Sequence, residues 1–146
     1  MKIQQYLLVL LEVLFPYMLN ADITEDIHFS HIGLEEGLSH STIFAINQDK
    51  GGNLWFATYD GVNKYDGYNF TVYRHQYTNP NSIASDISRC IAVDDSDRIW
   101  VGTREGLSLY NRYKDAFSNY YYKKKGMNVA VTSICLLYTS PSPRDA

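Results

Sequence analysis

Between residues 42 and 74 the apolar positions come in four short bursts separated by turn-forming residues. The pattern predicts strands at about Thr42–Gln48, Leu54–Thr58, Val62–Tyr65 and Phe70–Arg74. Asp49–Lys50–Gly51–Gly52–Asn53 forms the first turn. Asp60–Gly61 and Asp66–Gly67 mark hairpins, because Gly and Asp tolerate the positive φ that such turns require. The second burst, Leu-Trp-Phe-Ala-Thr, is apolar on both faces instead of alternating. A strand of that kind needs cover from both sides.

The same pattern returns farther along the chain. Leu54–Trp55–Phe56–Ala57–Thr58 followed by Gly61–Val62 recurs as Ile99–Trp100–Val101–Gly102–Thr103 followed by Gly106–Leu107, at an offset of 45. Ile46 and Ile91, Asp49 and Asp94, and Tyr65 and Tyr110 match at that offset. Phe70 and Tyr73 match Phe117 and Tyr120 at 47, which implies a two-residue insertion within Asn111–Asp115. Val131–Ile134 echoes Ile43–Ile46 and reads as the opening of a third copy.

Four strands per copy, a period near 45 and two-sided burial of the second strand predict an all-β fold. The expected architecture is a partial β-propeller of two four-stranded blades plus the start of a third. An open meander or a sandwich does not require a Trp-x-small-Thr repeat at constant offset. The structural repeat motif is then Trp55, Thr58, Gly61 and Tyr65 in the first blade, and Trp100, Gly102, Thr103, Gly106 and Tyr110 in the second. The two Trp residues are expected to pack between blades. Ala57 and Gly102 are small where a backbone or a large ring must come close.

Composition narrows the reading. With 13 Tyr and 2 Trp the chain leans toward half-buried pleated surfaces. A net charge of −3 disfavours a nucleic-acid binder. At the amino terminus Met1–Lys2 precedes the apolar run Tyr6–Phe15, broken only by Glu12 and followed by Pro16. That run is too short to span a bilayer and predicts a signal peptide over residues 1–21, cleaved near Ala21; a buried amphipathic helix is the alternative. The expected divisions are an entry segment at 22–40, blade one at 41–79, blade two at 80–125 and the start of blade three at 126–134.

Residues 54–70 and 99–110 resemble the two-component regulator propeller repeat. The lead-in Phe29–His40 is similar to the entry of the first blade in that family, and Asn79–Ile83 to its inter-blade segment. The resemblance implies the periplasmic sensor region of a hybrid two-component histidine kinase, anchored in the inner membrane as a full-length protein. It implies further blades and kinase domains downstream, a homodimer, and a ligand such as an oligosaccharide. It implies no catalytic residue, cofactor or metal in these blades. A secreted propeller enzyme, such as a glycosidase or lyase, and a structural or partner-binding propeller are the alternatives. Clustered carboxylates across the channel would mark the enzyme, and a transmembrane helix with a downstream kinase His box would mark the sensor.

After Ile134 the repeat breaks. Cys135 to Asp145 resembles the translation of a transposase-type sequencing adapter, so 135–146 is expected to be a non-native tail; a Pro/Ser linker is the alternative. Cys90 then has no natural partner, and no disulfide is expected.

The remaining motifs read as structural. His28, His31, His40 and His75 match no compact zinc spacing. Asp94–Asp95–Ser96–Asp97 lacks the closing Glu of a calcium loop and reads as a turn. Tyr120–Lys125 reads as the end of an outer strand followed by a solvated Lys loop, not a nucleic-acid surface. No ligand-binding residue is fixed by the sequence. Tyr59, Tyr68 and Tyr77 are candidates as aromatic loop residues on a rigid scaffold.

Overall fold

The computed structural model describes residues 29–136, so the expected signal peptide and all of the tail beyond Leu136 lie outside the described residues. The compact unit described below begins at Ile32. Its strands are β1 (Ile43–Gln48), β2 (Leu54–Thr58), β3 (Val62–Tyr65), β4 (Phe70–Tyr73), β5 (Ser88–Val93), β6 (Ile99–Thr103), β7 (Leu107–Asn111), β8 (Ala116–Tyr120), β9 (Lys123–Lys124) and β10 (Met127–Asn128). Among the described residues there is no helix.

The strands form two antiparallel four-stranded sheets in chain order, β1-β2-β3-β4 and β5-β6-β7-β8. Each copy of the repeat is thus one blade of a partial propeller. The sheets approach each other most closely along β1 and β5, and β2 also meets β5. The innermost strands therefore converge while the outer strands splay. That wedge follows from side-chain size: Ala45 faces Ala57 in the inner ladder, whereas large aromatic rings fill the space farther out.

The core lies between the blades. Trp55, Val62, Ile83, Ile99, Val101, Tyr110 and Phe117 pack into one buried cluster with Ala57 and Ile91. Trp55 is fully buried and lies 4.8 Å from the Tyr110 ring and 5.9 Å from Tyr73, both measured between centroids. Burying a side chain of this size removes about 200 Å² from water, worth about 5 kcal/mol against full exposure.

Strand-three polar residues stitch the lead-in of each blade. The Ser39 N–H donates to Asn63 Oδ1 at 2.9 Å, and Asn63 Nδ2 donates to Ser39 Oγ at 2.7 Å. In blade two the Ala84 N–H donates to Ser108 Oγ at 3.1 Å, and Ser108 Oγ donates to Asn119 Oδ1. Ser39 and Ala84, like Asn63 and Ser108, stand at the 45-residue offset.

The Lys run differs from a simple solvated loop. Lys123–Lys124 pairs with Met127–Asn128 in a two-residue hairpin, turned through Lys125 (φ 52°) and Gly126 (φ 81°). Positive φ at both turn residues matches the twist of such a tight hairpin. Beyond it the segment 129–136 carries no assigned strand, although the Val131 N–H donates to the Thr103 carbonyl at 2.9 Å.

Candidate functional site: the repeat motif and the exposed rim

Each blade carries the same polar clasp at its β1–β2 or β5–β6 turn. In blade one Asp49 Oδ1 accepts the Asn53 N–H at 2.9 Å, while Oδ2 accepts the Trp55 indole N–H at 2.9 Å. In blade two Asp94 Oδ1 accepts the Ser96 and Arg98 N–H groups, and Oδ2 accepts the Trp100 indole N–H at 3.0 Å. The six-residue separation of Asp and Trp places the carboxylate where it caps the turn and holds the ring. Burial works to raise the Asp94 pKa but is outweighed by the bonds from Trp100 and Arg98, which hold it down to about 2. For Asp49 burial is likewise outweighed, by bonds from Trp55 and Asn53 and by the charge of Arg112.

The blade-one clasp is also an inter-blade joint. Arg112 of blade two bridges the buried Asp49 carboxylate at 3.1 Å and Asp97 at 2.8 Å. The Lys50 N–H donates to Asp97 Oδ1 at 2.8 Å. Outside that joint Tyr73 and Tyr110 both donate to Asp115 Oδ1, at 2.6 and 2.7 Å. Burial, followed by the Asp115 bond, pushes the Tyr73 hydroxyl far above its ordinary pKa.

The other repeat-motif residues form the opposite turns. Thr58 Oγ1 donates to the Gly61 carbonyl at 2.9 Å, and Thr103 Oγ1 does the same for Gly106. A Cβ at Gly61 would collide with the Tyr73 carbonyl oxygen, and one at Gly106 would reach the Tyr120 carbonyl oxygen at 2.5 Å. These two glycines therefore let the fourth strand close on the turn. At Gly102 the close neighbours are the Cys90 side chain and Val131. Tyr65 and Tyr110 occupy the same register opposite Leu54 and Ile99, but Tyr110 is buried against Trp55 while Tyr65 is only partly covered.

Blade two leaves one face open. Trp100 is partly exposed, unlike Trp55, and shares its face with Leu109, its partner across the β6–β7 ladder. An open recess of about 450 Å³ there is lined by Asp97, Arg98, Leu109, Arg112, Tyr113 and Ser118, among others.

The candidate aromatic residues do not share one place. Tyr59 follows β2, and Tyr68 lies in the β3–β4 turn at the other end of the blade. Tyr77 stands in the linker with its ring 4.9 Å from His75. Among the described residues Tyr59 stands in an aromatic cluster, with the half-buried His40 at 5.6 Å and the exposed Phe44 at 6.5 Å between ring centroids.

Sequence patterning missed Phe44 and its counterpart Arg89. The β1–β2 register shifts between Ile43 and Ala45, and the β5–β6 register between Ser88 and Cys90. Phe44 and Arg89 are the extra residues of these two bulges, 45 apart, and both are exposed. A bulge re-aims a side chain that regular alternation would place elsewhere. The Arg89 guanidinium carbon lies 5.2 Å from the Phe44 ring centroid. Beside Arg89 the Ser88 hydroxyl is fully buried and has no hydrogen-bond partner among the described residues.

His40 and His75 make local bonds. His40 Nδ1 accepts the Thr42 N–H at 2.9 Å, and His75 Nδ1 lies 2.7 Å from the Ile83 carbonyl. His31 is exposed, and His28 lies outside the described residues. Cys90 and Cys135 are free thiols, and burial pushes the Cys90 thiol up.

Residues 37–60 and 82–105 match the family model described as two component regulator propeller, so the chain carries two repeats of that kind. A histidine kinase of Formosa agariphila, P4, is 47% identical over 49 residues, which cover 34% of this chain and 4% of that protein. A crystal structure assigned to the extracellular domain of a hybrid two component system of B. thetaiotaomicron superposes with a TM-score of 0.59 at 35% identity. The match covers 68% of this chain and 14% of that one. The chain therefore spans a small fraction of the length of each relative.

Proposed function

From two propeller repeats of the two-component regulator kind, we propose that this chain belongs to the periplasmic sensor region of a hybrid two-component histidine kinase. The observation that carries the proposal is the pair of family matches, each covering the inner half of one blade. The likeness to an extracellular domain of such a system supports the same placement. Export would rest on the amino-terminal segment, and an inner-membrane anchor would lie downstream. These two blades have a binding role and no catalytic one; phosphoryl transfer belongs to the kinase domains.

The open face of blade two supports a continuing propeller. Trp55 is covered by Tyr110 of the next blade, whereas the equivalent Trp100 is partly exposed beside a 450 Å³ recess. A third blade supplying a ring at the Tyr110 position would fill it. An oligosaccharide is the ligand we propose, bound by the assembled propeller of a dimeric receptor that couples occupancy to a two-state arrangement.

The test is the complete reading frame of the gene. Further Trp-x-small-Thr repeats, then a transmembrane helix and a kinase His box, are expected after Ile134. A frame that closes without helix or His box overturns the sensor reading in favour of a secreted or structural propeller.

A further inference from the structure

The rim beside β1 and β5 is built from equivalent positions occupied by different chemistry. Blade one places two aromatic residues there, Phe44 in the bulge and Tyr59 after β2, exposed by 40% and 50%. Blade two places two arginines at the same offsets, Arg89 in its bulge and Arg104 after β6, both exposed. Ser88 and Thr103 are paired across the ladder, so Arg89 and Arg104 each follow a residue of one pair. The Arg89 guanidinium rests over Phe44, which joins the halves across the blade boundary.

Among the described residues neither arginine meets a carboxylate within salt-bridge distance. The nearby acids are otherwise engaged. Asp60 pairs with Arg74 at 2.9 Å, Asp86 accepts the His75 N–H at 2.6 Å, and Glu105 accepts from Asn128 Nδ2 at 3.4 Å. Two exposed arginines on neighbouring strand ends, neither paired with a carboxylate among the described residues, stand on the same rim as two exposed rings, a surface that suits negative charge carried on a body with apolar faces. Guanidinium groups bind carboxylate and sulfate through paired N–H donors. Aromatic side chains supply apolar area with a rigid shape.

We infer that Phe44, Tyr59, Arg89 and Arg104 form a binding site for an acidic saccharide. The carboxylate or sulfate sits on the two arginines and a sugar ring packs beside Tyr59 and Phe44. The inference deepens the oligosaccharide reading above and rests on it.

The test is calorimetric titration of the full 146-residue chain with trigalacturonate, a sulfated galactobiose, neutral galactotriose and inorganic sulfate. At least one acidic sugar is expected to bind at least tenfold more tightly than galactotriose, and more weakly as salt rises. Carboxylated and sulfated probes tell the two anion sources apart. R89Q/R104Q is expected to lose at least tenfold in affinity, R89K/R104K to regain part of it, and F44A/Y59A to weaken the sugar. The far-ultraviolet circular dichroism of each variant should match the parent, since all four side chains are exposed.

Acidic sugars that bind the parent and R89Q/R104Q alike would overturn the site. So would inorganic sulfate binding as tightly as the sugars, which would make it a plain anion site. Neutral binding untouched by these variants would refute the site and leave the oligosaccharide reading standing. Binding of none of the sugars would overturn the site, whereas the oligosaccharide reading concerns the assembled propeller and would be tested there.

Discussion

The indole N–H of Trp55 donates to Asp49 Oδ2 at 2.9 Å, and the same carboxylate oxygen lies 3.1 Å from the Arg112 guanidinium of the next blade. One buried carboxylate thus caps its own turn, orients the ring that fills the inter-blade core, and ties that core to blade two. Asp94 likewise caps its turn and holds the indole of the partly exposed Trp100, but its ion pair is with Arg98 four residues on, within the same blade.

Asp49→Ala should therefore cost more than Asp94→Ala. It leaves a buried indole N–H unsatisfied and removes one of the two carboxylate partners of Arg112, and losses of this kind run to about 3 kcal/mol. Urea unfolding of the two variants, followed by tryptophan fluorescence, checks the order. Equal midpoints would show that Arg112 adds nothing to the joint.

Trp55→Ala should destabilise by about 3–5 kcal/mol, the usual range for deleting a buried large aromatic. Trp100→Ala should cost clearly less, because its ring is partly in water. Adding the following blade should narrow the gap. The same denaturation measurements, with and without that blade, decide the matter.

Acid should weaken the fold over a defined range. Asp94 is held to about 2 in the folded chain against an ordinary 3.8, and Asp49 is also lowered. A depressed carboxylate contributes stability that is whole above its ordinary pKa and is lost as pH falls through the folded value. The loss should therefore run from about pH 4 to about pH 2. Asp94→Asn should flatten that part of the profile of urea midpoint against pH; an unchanged slope would count against the clasp as its source.

Ser88→Ala should be neutral or stabilising by up to about 1 kcal/mol, since it removes a buried hydroxyl without a partner. Thermal melts compare the two. A loss of more than that amount would mean the hydroxyl makes a bond in solution.

The repeat, the four-strand rhythm and the propeller architecture were legible in the sequence because they rest on local chemistry. The turn Asp49–Asn53, the Asp60–Gly61 hairpin and the two-faced strand Leu54–Thr58 each follow from residues close together in the chain. The Asp–Trp clasp was within reach too: Asp49 and Asp94 stand at the repeat offset, and only their six-residue distance to the Trp was left unused.

Tertiary structure decided what depends on neighbours. Trp55 and Trp100 have the same local sequence but different burial, because Tyr110 of the next blade packs on the first, and the second lies on the open face of blade two with Leu109. Phe44 and Arg89 fall out of the alternating pattern, and only the register shift in each inner ladder turns them outward and brings one over the other. Hydrophobic period fixes which strands form, since it acts over a few residues. Contacts between blades, which join positions about 45 residues apart, set which equivalent side chain becomes core and which becomes rim.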